Sequence, residues 1–259
     1  SVSRSDMDAV TQGSDLLYTL GQDIVNLYFA DDPTVLGYVE YGLPEVYVQL
    51  LHETRRLATH KTLMRFDFFF TRTGPKLVEV SSNPWGLISY EAHVKSFAPR
   101  AAPFPAAAMY TALCRERPGR RVGIWGAFGF TAEIAELTAL LNHAGYRAEL
   151  LRSPEDLSRC DIILYDIETS HLGGTLEHLV PYAPRLLPSP ANEIIKRKNI
   201  LPLLYRMSIG DVTLQTRLTT AQLKFLSQFL VPAHLVPSQL SSDECSGAIK
   251  EIVGIWGLQ

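Results

Sequence analysis

Two acidic residues and an arginine interrupt a pair of otherwise apolar runs in the first third of the chain. Residues 65–70 contain Arg65 and Asp67 beside four phenylalanines, and residues 76–80 contain Glu79. Aromatic and β-branched runs separated by glycine and proline are typical of a β-hairpin. Because burial of an unpaired carboxylate is costly, we expect both acids to face a cation or a polar cavity.

These residue types are suited to binding magnesium. Carboxylate and amide oxygens are the ligands that Mg²⁺ prefers, and substrate phosphates usually complete its coordination. Asp67, Glu79 and the nearby Asn83 are therefore candidate metal ligands. Arg65 could pair with one of the acids, or it could neutralise a phosphoryl group during its transfer.

A solvated acidic pair on an exposed hairpin face is the alternative interpretation of Asp67 and Glu79. Four phenylalanines flank Asp67 along the first strand: Phe66, Phe68, Phe69 and Phe70. Large aromatic side chains are mostly buried in folded proteins, so we expect both faces of this strand to be covered. That expectation favours a functional pair over a solvated one.

Basic residues form a second candidate site near the end of the chain. Lys196, Arg197 and Lys198 are consecutive and precede an apolar segment. One of these lysines could reach a nucleotide phosphate, since charge-assisted hydrogen bonds to phosphate are strong. The alternative is a solvated helix end without a ligand.

A glycine pattern, Gly123-x-x-Gly126-x-x-Gly129, lies between a predicted strand and a predicted helix. That is the context of a phosphate-binding loop, and Glu149 lies about where a ribose-binding acid is found. The spacing differs from G-x-G-x-x-G, so a structural turn is the favoured interpretation. A Rossmann-type enzyme that uses NAD or S-adenosylmethionine remains an alternative.

Composition and motif absences narrow the class of protein. With 259 residues, 46% hydrophobic and 20% charged, the chain has an ordinary globular composition. A net charge of −3 gives no general attraction to nucleic acid or anionic membranes, and no run of 18 apolar residues occurs. The three cysteines (Cys114, Cys160 and Cys245) are far apart, which favours a reducing, cytoplasmic setting. The histidines show no zinc-site spacing, and no G-x-S-x-G occurs.

Helices are predicted both before and after the hairpin, and a connector follows the second helical segment. Residues 1–62 are predicted to be helical, because apolar residues recur at helical spacing in 14–29 and 44–57. A further helix is predicted over 87–97. Residues 99–108, rich in alanine and proline, are interpreted as a connector.

Strand and helix patterns alternate over residues 120–166, which predicts a small parallel sheet. A proline-punctuated crossing follows at 181–190. Residues 193–205 are predicted to be helical, interrupted or entered at Pro202, and one more helix is predicted within 220–230.

Three motifs in and after the hairpin resemble the metal-binding hairpin of the circularly permuted ATP-grasp ligases. They are Arg65-Phe66-Asp67, Gly74-Pro75-Lys76-Leu77-Val78-Glu79 and Pro84-Trp85-Gly86. The pattern is similar to that of glutathionylspermidine synthase and its bacterial relatives. In that family a Rossmann-like layer follows the hairpin, and a lysine then precedes an Ile-Leu-Pro-Leu-Leu-aromatic segment. Here those features are 120–166 and Lys198 to Tyr205.

The resemblance implies an α/β, ATP-grasp-like fold and an ATP- and Mg²⁺-dependent ligase. Such enzymes join a carboxylate to an amine through an acyl-phosphate. Asp67 and Glu79 would then be Mg²⁺ ligands, Arg65 would stabilise the transferred phosphoryl group, and Lys198, with Lys196 beside it, would bind ATP. The substrates would be small-molecule or peptide carboxylates and amines, and the oligomeric state, including a homo-oligomer, stays open.

The chain departs from the family pattern at two places. The family has a metal-binding asparagine two positions after the glutamate, where this chain has Ser81, with Asn83 beyond it. Residues 207–259 contain neither the Lys-Pro strand nor the glycine-rich loop that clamp ATP. A non-catalytic binding or scaffold homologue is therefore an alternative to the ligase.

The resemblance also suggests a division of the chain into three parts. Residues 1–110 would hold the helices and the metal-binding hairpin, and 111–190 would form the Rossmann-like layer. Residues 191–259 would be a partial ATP-grasp lobe.

Overall fold

A computed structural model describes residues 3–55, 64–81, 87–97, 106–115, 117–125, 131–165 and 175–233. These residues form a mixed α/β structure, as predicted. The α-helices are α1 (Arg4–Phe29), α2 (Pro33–Val39), α3 (Glu45–Glu53), α4 (Leu87–Phe97), α5 (Ala106–Arg115), α6 (Thr131–His143), α7 (Thr175–Leu179), α8 (Pro190–Lys196), α9 (Ile200–Ser208) and α10 (Thr220–Leu226). The strands are β1 (Arg65–Thr71), β2 (Gly74–Ser81), β3 (Arg121–Trp125), β4 (Arg147–Leu150), β5 (Ile162–Tyr165) and β6 (Leu186–Leu187).

The centre of the described structure is a four-stranded parallel sheet with the order β4-β3-β5-β6. This confirms the parallel layer predicted for residues 120–166 and adds β6, a strand that the sequence did not predict. Side chains alternate between the two faces of a strand. One face of β3 and β5, including Ile124 and Leu164, packs with α4, α5 and α6. The opposite face, including Ile163, belongs to the larger core.

The larger core joins the helices at the two ends of the described chain. Buried residues of α1, α2, α3, α8, α9 and α10 pack together with the inner face of the hairpin. Helix α8 packs against α1 and β2, so it lies between the N-terminal helices and the hairpin. The hydrophobic core thus draws on residues from all three predicted parts of the chain, and residue 110 lies inside α5.

Caps explain where the N-terminal helices begin. Ser3 caps α1 in a capping box with Asp6, so α1 begins well before the apolar pattern of 14–29. Asp32 accepts hydrogen bonds from the backbone N–H groups of Thr34 and Val35, and Pro33 occupies the first position of α2. The Asp32-Pro33 pair therefore starts a helix.

One predicted boundary is wrong, and the structure decides between two alternatives for another. Ala106, placed in the connector, begins α5, because alanine is the strongest helix former and Tyr110 and Leu113 bury one face of this helix. Of the two alternatives for Pro202, the structure agrees with helix entry, since Pro202 lies in the first turn of α9, where its missing N–H costs no hydrogen bond. The break is at Arg197, whose backbone is extended (φ −61°, ψ 125°).

The outer edge of the parallel sheet is closed by a side chain. Asn142 donates from Nδ2 to the carbonyl oxygen of Ala148 (3.1 Å) and accepts from the Ala148 N–H at Oδ1 (3.0 Å). These are the bonds that a neighbouring strand would make with β4. Edge strands left open favour association with another chain, and Asn142 occupies this position on β4.

Asp161 joins the start of β3 to the segment before β5. Its carboxylate accepts hydrogen bonds from the backbone N–H groups of Arg120 and Arg121 (3.0 Å each) and from the Arg121 guanidinium (3.1 Å). The Arg121 side chain, together with these N–H groups, holds the pKa of Asp161 well below its usual range. Gly119 is required beside it, because φ is +102° and an added Cβ would lie 2.3 Å from the Asp161 Cβ.

This pKa predicts a pH-dependent contribution to stability. A carboxyl whose pKa is lower in the folded state stabilises the fold above its unfolded-state pKa of about 4, and this contribution is lost as the pH falls. We expect Asp161→Asn to be less stable than the parent chain at pH 7, with the difference shrinking as the pH falls from about 5 to about 2. Urea unfolding across this range measures it. The exposed Asp8→Asn variant is the control, and a difference that grows toward low pH would contradict the prediction.

Among the described helices, none has the length and apolar composition of a membrane-spanning helix.

Candidate functional site

The predicted hairpin forms, and it places the two candidate acids directly opposite each other. Strands β1 and β2 are antiparallel around a turn at residues 72–73, and Asp67 pairs with Glu79. Opposing residues of an antiparallel pair share one face of the sheet. Arg65 and Ser81 are the next pair on that face. The structure therefore brings Arg65, Asp67 and Glu79 together.

A β-bulge is responsible for this arrangement. The pairing is regular from Thr71 opposite Gly74 to Phe68 opposite Leu77, and it then shifts by one residue. Without the shift, Asp67 would lie opposite Val78, and Glu79 would point to the other face. The bulge at Val78 thus places both carboxylates on one face, a common use of bulges near functional sites.

Arg65 forms a two-point ion pair with Asp67. The guanidinium donates from Nε to Oδ1 at 3.0 Å and from Nη2 to Oδ2 at 3.1 Å. Both side chains are 43% exposed. Glu79 is half-buried and makes no ion pair within the described part of the chain. The face therefore presents one paired and one unpaired carboxylate.

The expectation that phenylalanines cover both faces of β1 is wrong. Phe66 and Phe68 pack against the larger core, but Phe69 is 68% exposed and Phe70 is 43% exposed. Within the described residues, the hairpin forms its own two-stranded sheet, and only one face has a core to pack against. Among the described residues, the face that carries Asp67 is exposed at Phe69, whereas Ser81 at its other end is buried.

The third candidate ligand, Asn83, lies outside the described residues. Ser81, at the position of the family asparagine, is buried. The described ranges contain no cluster of three or more histidine, cysteine, aspartate or glutamate side chains that could hold a metal ion. The donor set that they do contain is the pair Asp67 and Glu79. Two carboxylates suit Mg²⁺, which is usually held by one or two carboxylates, water and substrate phosphates.

The two predicted ATP-binding lysines differ in their surroundings. Lys196 Nζ lies 3.5 Å from Glu193 Oε2, and the Glu193 side chain is only 4% exposed. Lys198 is exposed and makes no ion pair with the described residues. Lys196 ends α8 and Lys198 follows it, and α8 packs against β2, so the basic segment begins on a helix next to the hairpin.

Arg197, between these lysines, has a structural role. It donates from Nη2 to the carbonyl oxygen of Tyr41 at 3.0 Å, and Asn199 Nδ2 donates to the same oxygen at 2.9 Å. Burial lowers the pKa of the Arg197 guanidinium. These bonds attach the α8–α9 connection to the segment between α2 and α3, and Lys198 remains directed to solvent on that connection.

The structure places Gly123 inside β3, where it serves packing. A Cβ at this position would lie 2.5 Å from Cys160 Sγ and 2.6 Å from a Leu151 methyl carbon. Gly126 and Gly129 lie outside the described residues. Glu149 is exposed on β4 opposite Gly123. For Gly123 itself, the close packing accounts for the glycine without a nucleotide.

Sequence reasoning did not predict the burial of the Glu133 carboxylate. Glu133, in the first turn of α6, is buried and accepts hydrogen bonds from Ser89 Oγ (2.8 Å) and the Tyr110 hydroxyl (3.3 Å). Burial, followed by the charge of Glu133, raises the pKa of Tyr110. In the sequence Glu133 looks like an ordinary surface residue of an amphipathic helix. The network joins α4, α5 and α6 to each other.

Comparison of the chain with models of protein families and with curated proteins gives no match.

Proposed function

We propose that this chain is an ATP- and Mg²⁺-dependent ligase that joins a carboxylate to an amine. The observation that supports the proposal most is the placement of Asp67 and Glu79 directly opposite each other on one face of the hairpin, with Arg65 beside them. The order of hairpin, parallel sheet and lysine-bearing connection, which resembles permuted ATP-grasp ligases, is the second support.

The side chains present fit a magnesium site. Asp67 and Glu79 would hold the ion, and their charges and oxygen donors match its preference. When bound with ATP, magnesium supplies neutralisation of phosphate charge during phosphoryl transfer. Among the described residues of this face, Arg65 and Asp67 are each 43% exposed and Phe69 is 68% exposed, which leaves access for a nucleotide from that side.

The cationic residues then have distinct tasks. The Arg65 guanidinium, rigid and always charged, would bind the phosphoryl group on its way from ATP to the carboxylate substrate. Lys198, exposed on the connection after α8, would attract the nucleotide phosphates. The amine would then attack the acyl-phosphate and release phosphate, and orientation of both reactants would supply much of the rate enhancement.

A non-catalytic binding protein is the second candidate, and one contact favours it. Arg65 already neutralises Asp67 with two hydrogen bonds, as a purely structural ion pair would. Under this alternative, ATP with Mg²⁺ would not change the thermal unfolding of a folded chain. An increase in the midpoint temperature with ATP and Mg²⁺ together would favour the ligase.

The reaction itself provides the sharper test. We would incubate the chain with ATP, Mg²⁺ and pools of carboxylic acids carrying ¹⁸O, with hydroxylamine as a general amine. An acyl-phosphate pathway transfers one ¹⁸O atom from the carboxylate to phosphate and forms a hydroxamate. ADP release that requires both a carboxylate and an amine would support the proposal. ATP hydrolysis without ¹⁸O transfer from any carboxylate would contradict it.

A further inference from the structure

The geometry points to Arg65 as an internal counter-ion, which holds Asp67 while the site lacks a cation and is released when a divalent cation binds. This inference rests on the proposed metal site and adds a control step to it. Arg65 would occupy two places in turn, first against Asp67 and then against the phosphoryl group.

The first support is the geometry of the ion pair. Arg65 and Asp67 are two residues apart on β1, so their side chains leave the same face of the strand. Both oxygens of Asp67 accept from the guanidinium, at 3.0 and 3.1 Å. A divalent cation between Asp67 and Glu79 would lie beside this positive charge. Cation binding and the two-point ion pair therefore oppose each other.

The second support is the balance of charge. Glu79 has no cationic partner among the described residues, so the three side chains keep a net negative charge that attracts a cation. Once a divalent cation has bound, the same cluster is positive. The Arg65 guanidinium is then repelled from the cation, and an anionic phosphoryl group becomes its preferred partner.

The third support is the low free-energy cost of breaking the Arg65–Asp67 ion pair. Ion pairs between exposed side chains are weak, and Arg65 and Asp67 are each 43% exposed. The strong coordination of a small divalent cation can displace such a pair without movement of the backbone. Only the arginine side chain has to change its rotamer.

Manganese binding without nucleotide tests this inference. Mn²⁺ is the probe, and electron paramagnetic resonance of the free ion gives its dissociation constant for the full chain. We expect Arg65→Gln to bind Mn²⁺ about two- to fivefold more tightly than the parent chain, because an exposed ion pair no longer competes. Arg65→Lys keeps the charge but loses the two-point geometry, so its affinity should lie between the two.

Further variants distinguish a failure of the counter-ion inference from a failure of the proposed metal site. Arg72→Gln removes the same charge from the exposed turn of the hairpin, and it should leave the affinity unchanged. If Arg65→Gln binds Mn²⁺ no more tightly than the parent while Asp67→Asn loses binding, the metal site stands and the counter-ion inference is overturned. If Asp67→Asn and Glu79→Gln both bind Mn²⁺ like the parent chain, the metal site is overturned and the counter-ion inference with it.

Discussion

An Asp67→Asn variant is expected to lose ATP turnover by a factor of about 100 or more. The stabilisation of transferred phosphoryl charge by a metal ion contributes several kcal/mol, and each 1.4 kcal/mol corresponds to a tenfold change in rate. Asparagine keeps the shape of the side chain but removes one of the two negative charges that face each other across the hairpin. ADP formation with saturating substrates and Mg²⁺ measures the loss.

The same variant is expected to keep its fold. The Arg65–Asp67 pair is exposed, so its loss should lower the free energy of unfolding by at most about 1 kcal/mol. Asp15→Asn, on the exposed side of α1, is the matched control and should retain full turnover. An Asp67→Asn chain with parental turnover would remove the metal hypothesis, whatever its stability.

A Lys196→Met variant is expected to lower the free energy of unfolding by about 3 kcal/mol, the lower end of the range for removing one partner of a buried ion pair. Glu193 is 4% exposed and Lys196 is 23% exposed, so the substitution removes a cation that lies 3.5 Å from a buried carboxylate. Methionine keeps most of the apolar stem, which isolates the effect of the charge. Urea unfolding at neutral pH measures the change.

Lys198→Met is the matched control for this prediction. It lies two residues after Lys196 but is exposed and has no ion pair with the described residues, so it should change stability by less than about 0.5 kcal/mol. As the proposed nucleotide contact, it should instead raise the KM for ATP. Equal stability of the two variants would show that the Glu193–Lys196 contact contributes little.

The sequence was sufficient to find the hairpin but not to align its strands. Glycine and proline punctuation, together with two runs of aromatic and β-branched residues, predicted β1 and β2. In a regular hairpin with the observed pairing of Thr71 and Gly74, Asp67 and Glu79 would lie on opposite faces. A one-residue bulge at Val78 puts them on the same face, and sequence patterns do not reveal bulges of this kind.

The exposure of the candidate site was also beyond the sequence pattern. A run of phenylalanines looks the same whether one face or both faces of the strand are buried. Phe66 and Phe68 contact the larger core, whereas Phe69 projects into solvent. Which face finds a partner depends on the packing of α1 and α8 behind the hairpin, and these contacts connect residues far apart in the chain.

Elements set by local sequence signals could be predicted, whereas a boundary set by contacts with distant residues could not. The parallel layer was predictable because βαβ patterns repeat over a short stretch with glycine at the helix end, as at Gly145 (φ +88°). The capping box of Ser3 and Asp6 was a local signal that apolar periodicity overlooked. The break at Arg197 had no such signal, since that residue is held extended by a hydrogen bond to the distant Tyr41 carbonyl.

The most direct test of the central claim is anomalous X-ray diffraction from crystals of the chain with Mn²⁺ and a non-hydrolysable ATP analogue. We predict one anomalous peak between the carboxylates of Asp67 and Glu79, with a phosphate oxygen of the analogue in its coordination sphere and Arg65 no longer bound to Asp67. A nucleotide bound elsewhere, or a hairpin face without a peak and with the Arg65–Asp67 pair intact, would contradict the account.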